Sequence, residues 1–451
     1  MGQALEDIIK SRRLGSSDLI VSEVCLGTMT YGEQNSEKEA HEQLACAWDH
    51  GVNCLDTAEM YAVPTRAETQ GLSEAYVGSW MRSRSRDSVI VFGKVTSTSP
   101  KTWIPPNRLP PQPPAPPRLT PESIRAAVHG SLKRLQTDYI DLMELHWPER
   151  YVGTMFGAWE YKRSREQTDV VPFEDQVGAL ARLIEEGKLR AWGLSNETTY
   201  GLCQFHQTAA SMDVPLPATV QNDFSLLDRS MEPELAEAIT PRHLNISFLV
   251  YGALNGGLLS GKYFDGTPQE GRHCLWPDFQ PRYHSDLSRR AAQQYVTLAK
   301  EYGLTPVELA LGWTLSREYV SSTIIGATKM DQLRVCLATV GVSISDELST
   351  AVDYGINTTT IVMNNKSWGA EKAYQRDFFE ERYIGADISS PPFDKVAELY
   401  GAKGFRVERT SEINEAINAA LTCDKPAVVD IAIDPKALYS FRRDSFKHRK
   451  K

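Results

Sequence analysis

Val89-Ile90-Val91-Phe92-Gly93-Lys94 is a short β-rich run that ends on a lysine. Apolar runs of this length read as buried strands, and others like it recur on both sides. Upstream stand Val21-Ser22-Glu23-Val24-Cys25-Leu26 and Val52-Asn53-Cys54-Leu55-Asp56. Downstream stand Ile140-Asp141-Leu142-Met143-Glu144-Leu145-His146, Leu189-Arg190-Ala191-Trp192-Gly193-Leu194-Ser195, Ala218-Thr219-Val220-Gln221, Ile246-Ser247-Phe248-Leu249-Val250-Tyr251 and Thr323-Ile324-Ile325-Gly326. Helix-patterned segments separate them from residue 20 to residue 340, and that alternation predicts eight βα units around a parallel sheet. Eight such units close into a (β/α)8 TIM barrel, an α/β fold whose chemistry sits at the C-terminal ends of the strands.

The barrel rhythm is exhausted after Glu347, yet about a hundred residues of the 451 remain. Single cores stop growing near roughly 250 to 300 residues, so a second, smaller αβ module is expected. Its strand-like runs are Thr360-Ile361-Val362-Met363 and Ala427-Val428-Val429-Asp430-Ile431-Ala432-Ile433, and the expected domains are 1–346 and 347–451. Two long loops interrupt the barrel, the proline-dense Trp103 to Arg118 and the aromatic-bearing Pro148 to Val171 with Tyr151, Phe156, Trp159 and Tyr161. Loops of that length inside a compact domain act as binding lids or are disordered, which makes both candidates for shaping a substrate pocket.

Hydrophobic content of 41% and charged content of 24% are ordinary for a soluble globular chain. No window reaches the ~18 to 20 apolar residues of a membrane span, so no membrane partner is expected. The start, Met1-Gly2-Gln3-Ala4-Leu5-Glu6-Asp7, lacks the pattern of a secretory signal, and the seven cysteines form no CxxC pair. A cytoplasmic protein with reduced thiols is expected. A net charge of −9 argues against nucleic acid as a partner, and the basic end, Arg442-Arg443 and Lys447-His448-Arg449-Lys450-Lys451, reads as a solvated terminus.

The predicted strand ends carry polar residues: Asp56 and Tyr61 after the second strand, Lys94 on the third, His146 on the fourth. Singly, each has a plain structural reading: a turn cap, a packing ring, a solvated amine, a core histidine. Together at one barrel mouth they suit proton delivery to a carbonyl oxygen. A phenol titrates near ~10 in water, a neighbouring ammonium favours its ionised form, and a carboxylate holds that ammonium in place.

These residues also carry a family resemblance. Leu26-Gly27-Thr28-Met29-Thr30-Tyr31-Gly32, Leu55-Asp56-Thr57-Ala58-Glu59-Met60-Tyr61, Gly93-Lys94-Val95, the stretch Ser131 to Leu142 and Leu145-His146-Trp147-Pro148 together resemble the aldo-keto reductase superfamily, in particular its bacterial Tas-like members, from about Leu14 to Asp346. The resemblance implies reduction of an aldehyde or ketone by NADPH, with NADH possible, and a small carbonyl compound as substrate. It implies Tyr61 as general acid, Lys94 and Asp56 as the groups tuning it, and His146 as the residue orienting the carbonyl. It further implies that Ser195, Asn196 and Gln221 hold the nicotinamide carboxamide and that Phe224 packs on its ring. In the run Tyr251 to Lys262, residues Tyr251, Gly252, Ala253, Leu254, Gly257, Gly261 and Lys262 would wrap the pyrophosphate. Gly326, Lys329 and Gln332 would take the adenosine end, with Lys329 the candidate for the 2′-phosphate. Cys336 stands where the family often has Asn, which puts the adenine contact in doubt.

From about Glu347 the chain resembles something unrelated, the C-terminal cofactor-binding domain of thiamine-diphosphate enzymes of the sulfoacetaldehyde acetyltransferase and acetolactate synthase type. Ala351 to Asn357, Val362-Met363-Asn364-Asn365-Lys366-Ser367-Trp368-Gly369-Ala370-Glu371-Lys372, Gln375, Asp377-Phe378 and Phe441-Arg442-Arg443-Asp444 carry it. The Gly-Asp-Gly half of the magnesium motif is missing, so a truncated module is expected, with no metal site and with thiamine diphosphate and magnesium not bound. Two rivals remain: a cofactor-binding regulatory subunit without turnover, and a thiamine-dependent lyase or acetyltransferase. Oligomeric state is left open.

Overall fold

The computed structural model describes residues 9–153, 160–264, 271–301, 303–341, 359–367, 372–373, 375–376, 380, 382, 386–387, 391–399, 401–423 and 425–434. By internal contacts the chain forms two compact units, Met1–Ala299 with Leu304–Ser343 and Lys300–Gly303 with Ile344–Lys451. The expected boundary between Asp346 and Glu347 lies outside the described residues, as do the runs 351–357, 377–378 and 441–444.

In the first unit the predicted barrel is present. Strands β3 (Val24–Gly27), β4 (Cys54–Asp56), β5 (Ile90–Val95), β6 (Ile140–Leu145), β7 (Leu189–Ser195), β8 (Thr219–Asp223), β9 (Ser247–Tyr251) and β10 (Val320–Ile325) close in chain order. All neighbours are parallel, and β10 returns to β3 through Thr323 opposite Val24 and Ile325 opposite Leu26. The first expected run is two strands, not one. Val21 and Ser22 belong to β2 (Ile20–Ser22), which pairs antiparallel with β1 (Ser11–Arg13), and only the residues after Glu23 enter the barrel.

That hairpin caps the barrel floor. Leu14, Leu19 and Val21 join Cys25, Cys54, Ile90, Phe92, Leu142, Ala191, Ala218 and Leu249 in one buried apolar cluster. Side chains alternate along a strand, so the inward residue two positions further on comes from the same face. Two residues beyond Cys54, Phe92 and Leu142 lie Asp56, Lys94 and Glu144, all buried. The apolar layer below thus sets the height at which the polar layer begins.

Helices follow the strands on the outside, with local starts that the sequence specifies. Ser36 and Glu39 form a capping box on α1 (Glu37–Asp49), and Thr305 and Glu308 do the same on α9 (Pro306–Ser316). These satisfy backbone N–H groups that a helix start leaves without partners.

The proline-dense loop is fastened to the barrel flank. Arg108 is 2% exposed, and its guanidinium donates to both carboxylate oxygens of Glu59, at 2.7 and 3.2 Å, and to the Thr96 carbonyl at 3.0 Å. Leu109 N donates to the Ala126 carbonyl of helix α3 (Pro121–Leu135) at 2.9 Å. Removing one partner of a buried pair strands the other charge, so Arg108→Met is expected to cost about 3–5 kcal/mol in urea unfolding. A midpoint unchanged from the parent would show that the pair is dispensable.

The second unit holds a parallel three-stranded sheet in the order β11 (Thr359–Asn364), β13 (Ala427–Ala432), β12 (Lys403–Val407). The runs expected from 360 and from 427 are its β11 and β13. Lys403–Val407 was not among the expected strands, since it mixes Lys, Gly and Arg with only two apolar residues. Val407, Ala420, Ala427, Val429 and Ile431 form its core, with Ala420 supplied by helix α12 (Ile413–Thr422).

Candidate active site

The C-terminal ends of the barrel strands open into a cavity of about 830 Å³, within the usual range of ligand pockets. Asp56, Tyr61, His146, Ser195, Asn196, Gln221 and Tyr251 line its floor. Lys94 lies just beneath, 1% exposed, and its ammonium donates to Asp56 Oδ1 at 2.5 Å and to the Thr57 carbonyl at 3.0 Å. Gln221 Nε2 bridges Asp56 Oδ1 at 2.9 Å and Glu144 Oε2 at 2.8 Å, while Thr219 donates to Glu144 Oε1 at 2.9 Å. One cation and two carboxyl groups therefore share a buried, hydrogen-bonded layer, which is what keeps buried charge tolerable.

Tyr61 stands on this layer, its ring 5.3 Å from the Lys94 ammonium and 5.8 Å, edge-on, from the ring of His146. Burial pushes the phenol up to about 12; Lys94 pulls it down, and Asp56 and Glu144 oppose that pull. The ammonium thus acts in the expected direction, and burial outweighs it. Burial opposes the charge of Lys94 too, yet Asp56, Tyr61 and Glu144 hold it above the ordinary lysine value. Glu144 is pushed up to about 8, mainly by burial. Burial and the Lys94 charge hold His146 well below the usual histidine range, so its imidazole is neutral, and its Nδ1 is buried without a hydrogen-bond partner.

On the other side of the cavity Asn196 adopts φ 54°, donates to the His146 carbonyl at 2.8 Å and accepts from the Tyr251 hydroxyl at 2.6 Å. Ser195 donates to the Gln221 carbonyl at 3.0 Å. The glycine run that follows bends on Gly252, Gly257 and Gly261, all at positive φ. Gly257 lies at φ 94°, a conformation that residues with a side chain rarely adopt, and its backbone stands close to the Lys262 ammonium. Gly252, Ala253, Leu254, Gly257, Lys262, Gly326, Lys329 and Gln332 all line the cavity; Gly261 does not, and turns the chain behind it. Gln332 accepts from the backbone N and hydroxyl of Thr328, both at 3.2 Å. Cys336 also reaches the cavity wall.

One expected contact is overturned. Phe224 is fully buried, stacks on Trp313 at 5.0 Å and packs edge-on against Phe248 and Tyr319, away from the cavity. It lies one residue beyond β8, and the alternation that brings Gln221 inward turns it outward. The ring that faces the cavity at this height is Tyr251. The long loops are a second correction. Among the described residues neither 103–118 nor 148–171 lines the cavity; Met29, Met60, Val63, Lys101, Trp147 and Phe279 line it near Tyr61 and His146. Phe156 and Trp159 lie outside the described residues.

Two contributors escaped the sequence reading. Glu144 was legible, because Leu142, Glu144 and His146 share one strand face. Arg272 was not. It lines the cavity from α7 (Arg272–Leu275), and no carboxylate pairs with it among the described residues. Burial lowers it, as burial, Arg272 and Lys329 lower Lys262. Cations gathered beside glycine backbone are a fitting cradle for phosphate.

Comparison with known proteins agrees with this geometry. Residues 23–354 match the model of the aldo/keto reductase family, and residues 325–431 match that of the thiamine pyrophosphate enzyme C-terminal TPP binding domain. The chain is 40% identical over 345 residues to the protein tas of Escherichia coli (strain K12), covering 76% of this chain and 96% of that relative. It is 29% identical over 337 residues to the uncharacterized oxidoreductase YrpG of Bacillus subtilis (strain 168), covering 74% and 92%. It is 30% identical over 331 residues to a putative voltage-gated potassium channel subunit beta of Schizosaccharomyces pombe, covering 71% and 85%.

Proposed function

The chain belongs to the aldo/keto reductase family, an NAD(P)H-dependent oxidoreductase by that membership, and from this premise we propose that it reduces an aldehyde or ketone with NADPH, Tyr61 delivering the proton. The observation that carries the reading is the buried Lys94–Asp56 pair beneath Tyr61, with neutral His146 on the same cavity.

The cavity lined by Ser195, Asn196, Gln221 and Tyr251 would hold a reduced nicotinamide, which when bound would supply the hydride. The residues of the chain do the rest. His146, neutral, donates a hydrogen bond to the carbonyl oxygen without placing a competing charge there. Tyr61 gives its proton to that oxygen as negative charge develops on it. Lys94 stabilises the phenolate left behind, and Asp56, hydrogen-bonded to its ammonium, keeps Lys94 charged and fixed. Ser195, Asn196 and Gln221 supply the polar rim for a carboxamide, and Tyr251 the aromatic face.

Lys262, Arg272 and Lys329 are the groups suited to the cofactor's phosphates, and Lys329 to the 2′-phosphate that distinguishes NADPH from NADH. Lys329→Met is accordingly expected to raise KM for NADPH about tenfold and KM for NADH much less. Equal effects on both would remove Lys329 from that role. The primary test of the function is NADPH consumption across a panel of aromatic and aliphatic aldehydes.

The second unit is read as a truncated thiamine-enzyme module, with the domain boundary near residue 346, and without carboligase chemistry. Asn364 and Asn365 support this: their side-chain oxygens accept from Lys366 N and Ser367 N, each at 3.2 Å, and so serve their own turn. Saturable binding of thiamine diphosphate would reverse that part of the reading.

A further inference from the structure

The two halves of the cavity differ in charge. The half lined by the glycine run holds Lys262, Arg272 and Lys329. Around Tyr61 the lining includes an apolar collar of Met29, Met60, Val63, Trp147 and Phe279. Of the cations that line the cavity outside the glycine-run cluster, Arg282 is paired with Asp223 at 2.7 Å, and Lys101 stands beside the collar. Met29, Met60 and Phe279 pack directly against the cluster of Ala58, Tyr61 and Val63, so the collar is continuous with the proposed proton donor.

Lys101 is half-buried and little engaged. Its ammonium makes a long bond, 3.4 Å, to the Thr65 carbonyl and lies 5.3 Å from the Trp103 ring centroid. Three carboxylates on the surrounding segments are already committed to arginines, and Glu68, on the segment that carries Thr65, is exposed. Glu59 is held by Arg108 at 2.7 Å, Glu33 by Arg66 at 3.1 Å, and Glu149 by Arg118. Among the described residues no carboxylate pairs with Lys101. A half-buried ammonium beside an apolar collar and without a paired carboxylate is suited to an anion, and one cation matches one negative charge.

Resting on the carbonyl-reductase reading, we infer that the acceptor half of the cavity selects carbonyl compounds with an apolar body and a carboxylate remote from the carbonyl, received by Lys101. The apolar collar takes the body of such a substrate. His146 and Tyr61 take its carbonyl oxygen, and Lys101 holds the far end, so the carboxylate contributes orientation as well as affinity.

The test compares 4-carboxybenzaldehyde with its neutral methyl ester in NADPH-driven reduction. The parent is expected to favour the acid by about tenfold in kcat/KM, the scale of one charge-assisted contact. In Lys101→Met that ratio should fall close to one, in Lys101→Glu it should invert, and Lys101→Arg should keep most of it. A ratio near one in the parent, or one that survives in Lys101→Met, overturns the inference while leaving carbonyl reduction intact. If neither aldehyde is reduced, the reductase reading fails separately. Calorimetric binding of terephthalate in the presence of NADPH then decides: a loss of about tenfold in affinity in Lys101→Met supports the anion site, and equal affinity overturns it.

Discussion

Tyr61→Phe is expected to lower kcat for NADPH-driven aldehyde reduction by about 10²–10⁴-fold, the usual worth of a positioned general acid, with NADPH binding retained. The change removes one oxygen from a ring otherwise held by packing against Ala58, Val63, Met29, Met60 and Phe279. The cavity should keep its shape while losing its proton source. Because burial pushes the phenol up to about 12, it stays protonated through the neutral range. As far as Tyr61 governs it, kcat for reduction should be level between about pH 6 and 9, since only the protonated phenol donates. Absorbance-followed turnover and a fluorescence titration of NADPH give the two readouts. A variant as fast as the parent removes Tyr61 from the reaction. A parent that binds NADPH tightly and turns over no carbonyl compound moves the protein to the regulatory-subunit reading.

The second large effect is on folding. Lys94 is the only cation in the layer formed by Asp56, Gln221, Thr219 and Glu144 among the described residues. Lys94→Met leaves two carboxyl groups buried without it, and a loss of about 3–5 kcal/mol in urea unfolding is expected near neutral pH. The sign of the pH dependence follows from Glu144. Its folded-state value is raised by burial from 4.5 to about 8, so the folded chain holds that proton more tightly than the unfolded one. Its contribution is complete below about 4.5 and is lost as pH rises toward about 8. In the parent the loss ends there, because Glu144 then ionises against Lys94. Without the ammonium the group is pushed higher still, and stability keeps falling. The deficit of Lys94→Met should therefore widen between about pH 7 and pH 9. A variant as stable as the parent, or a deficit that narrows over that range, would show that the pair does not carry the layer.

Much of this protein was legible in its residues because alternation along a strand is local. The eight runs, their order and the polar residues at their ends needed only period-two patterning and the spacing of helical segments. Asp56, Lys94 and His146 could be placed at one mouth on that basis, with Tyr61 brought there by the resemblance and the short loop after β4. Glu144 was equally available from its position between Leu142 and His146. The second unit was less so: β11 and β13 announce themselves by β-branched runs, whereas Lys403-Gly404-Phe405-Arg406-Val407 becomes a strand by pairing with β13.

Tertiary structure alone decided the remainder. Phe224 leaves the site because the outer layer of Phe248, Trp313 and Tyr319 offers its ring a dry, stacked place. The proline-dense loop is no part of the cavity wall because Arg108 meets Glu59 across 49 residues of chain. Arg272 enters the cavity from a single helical turn and Lys101 from a loop, segments whose course no periodicity records. Which residues face inward is a property of each strand by itself. Which of them meet, and which charges are left without a partner, depends on barrel closure and on ion pairs between distant segments, contacts that exist only once the chain has folded.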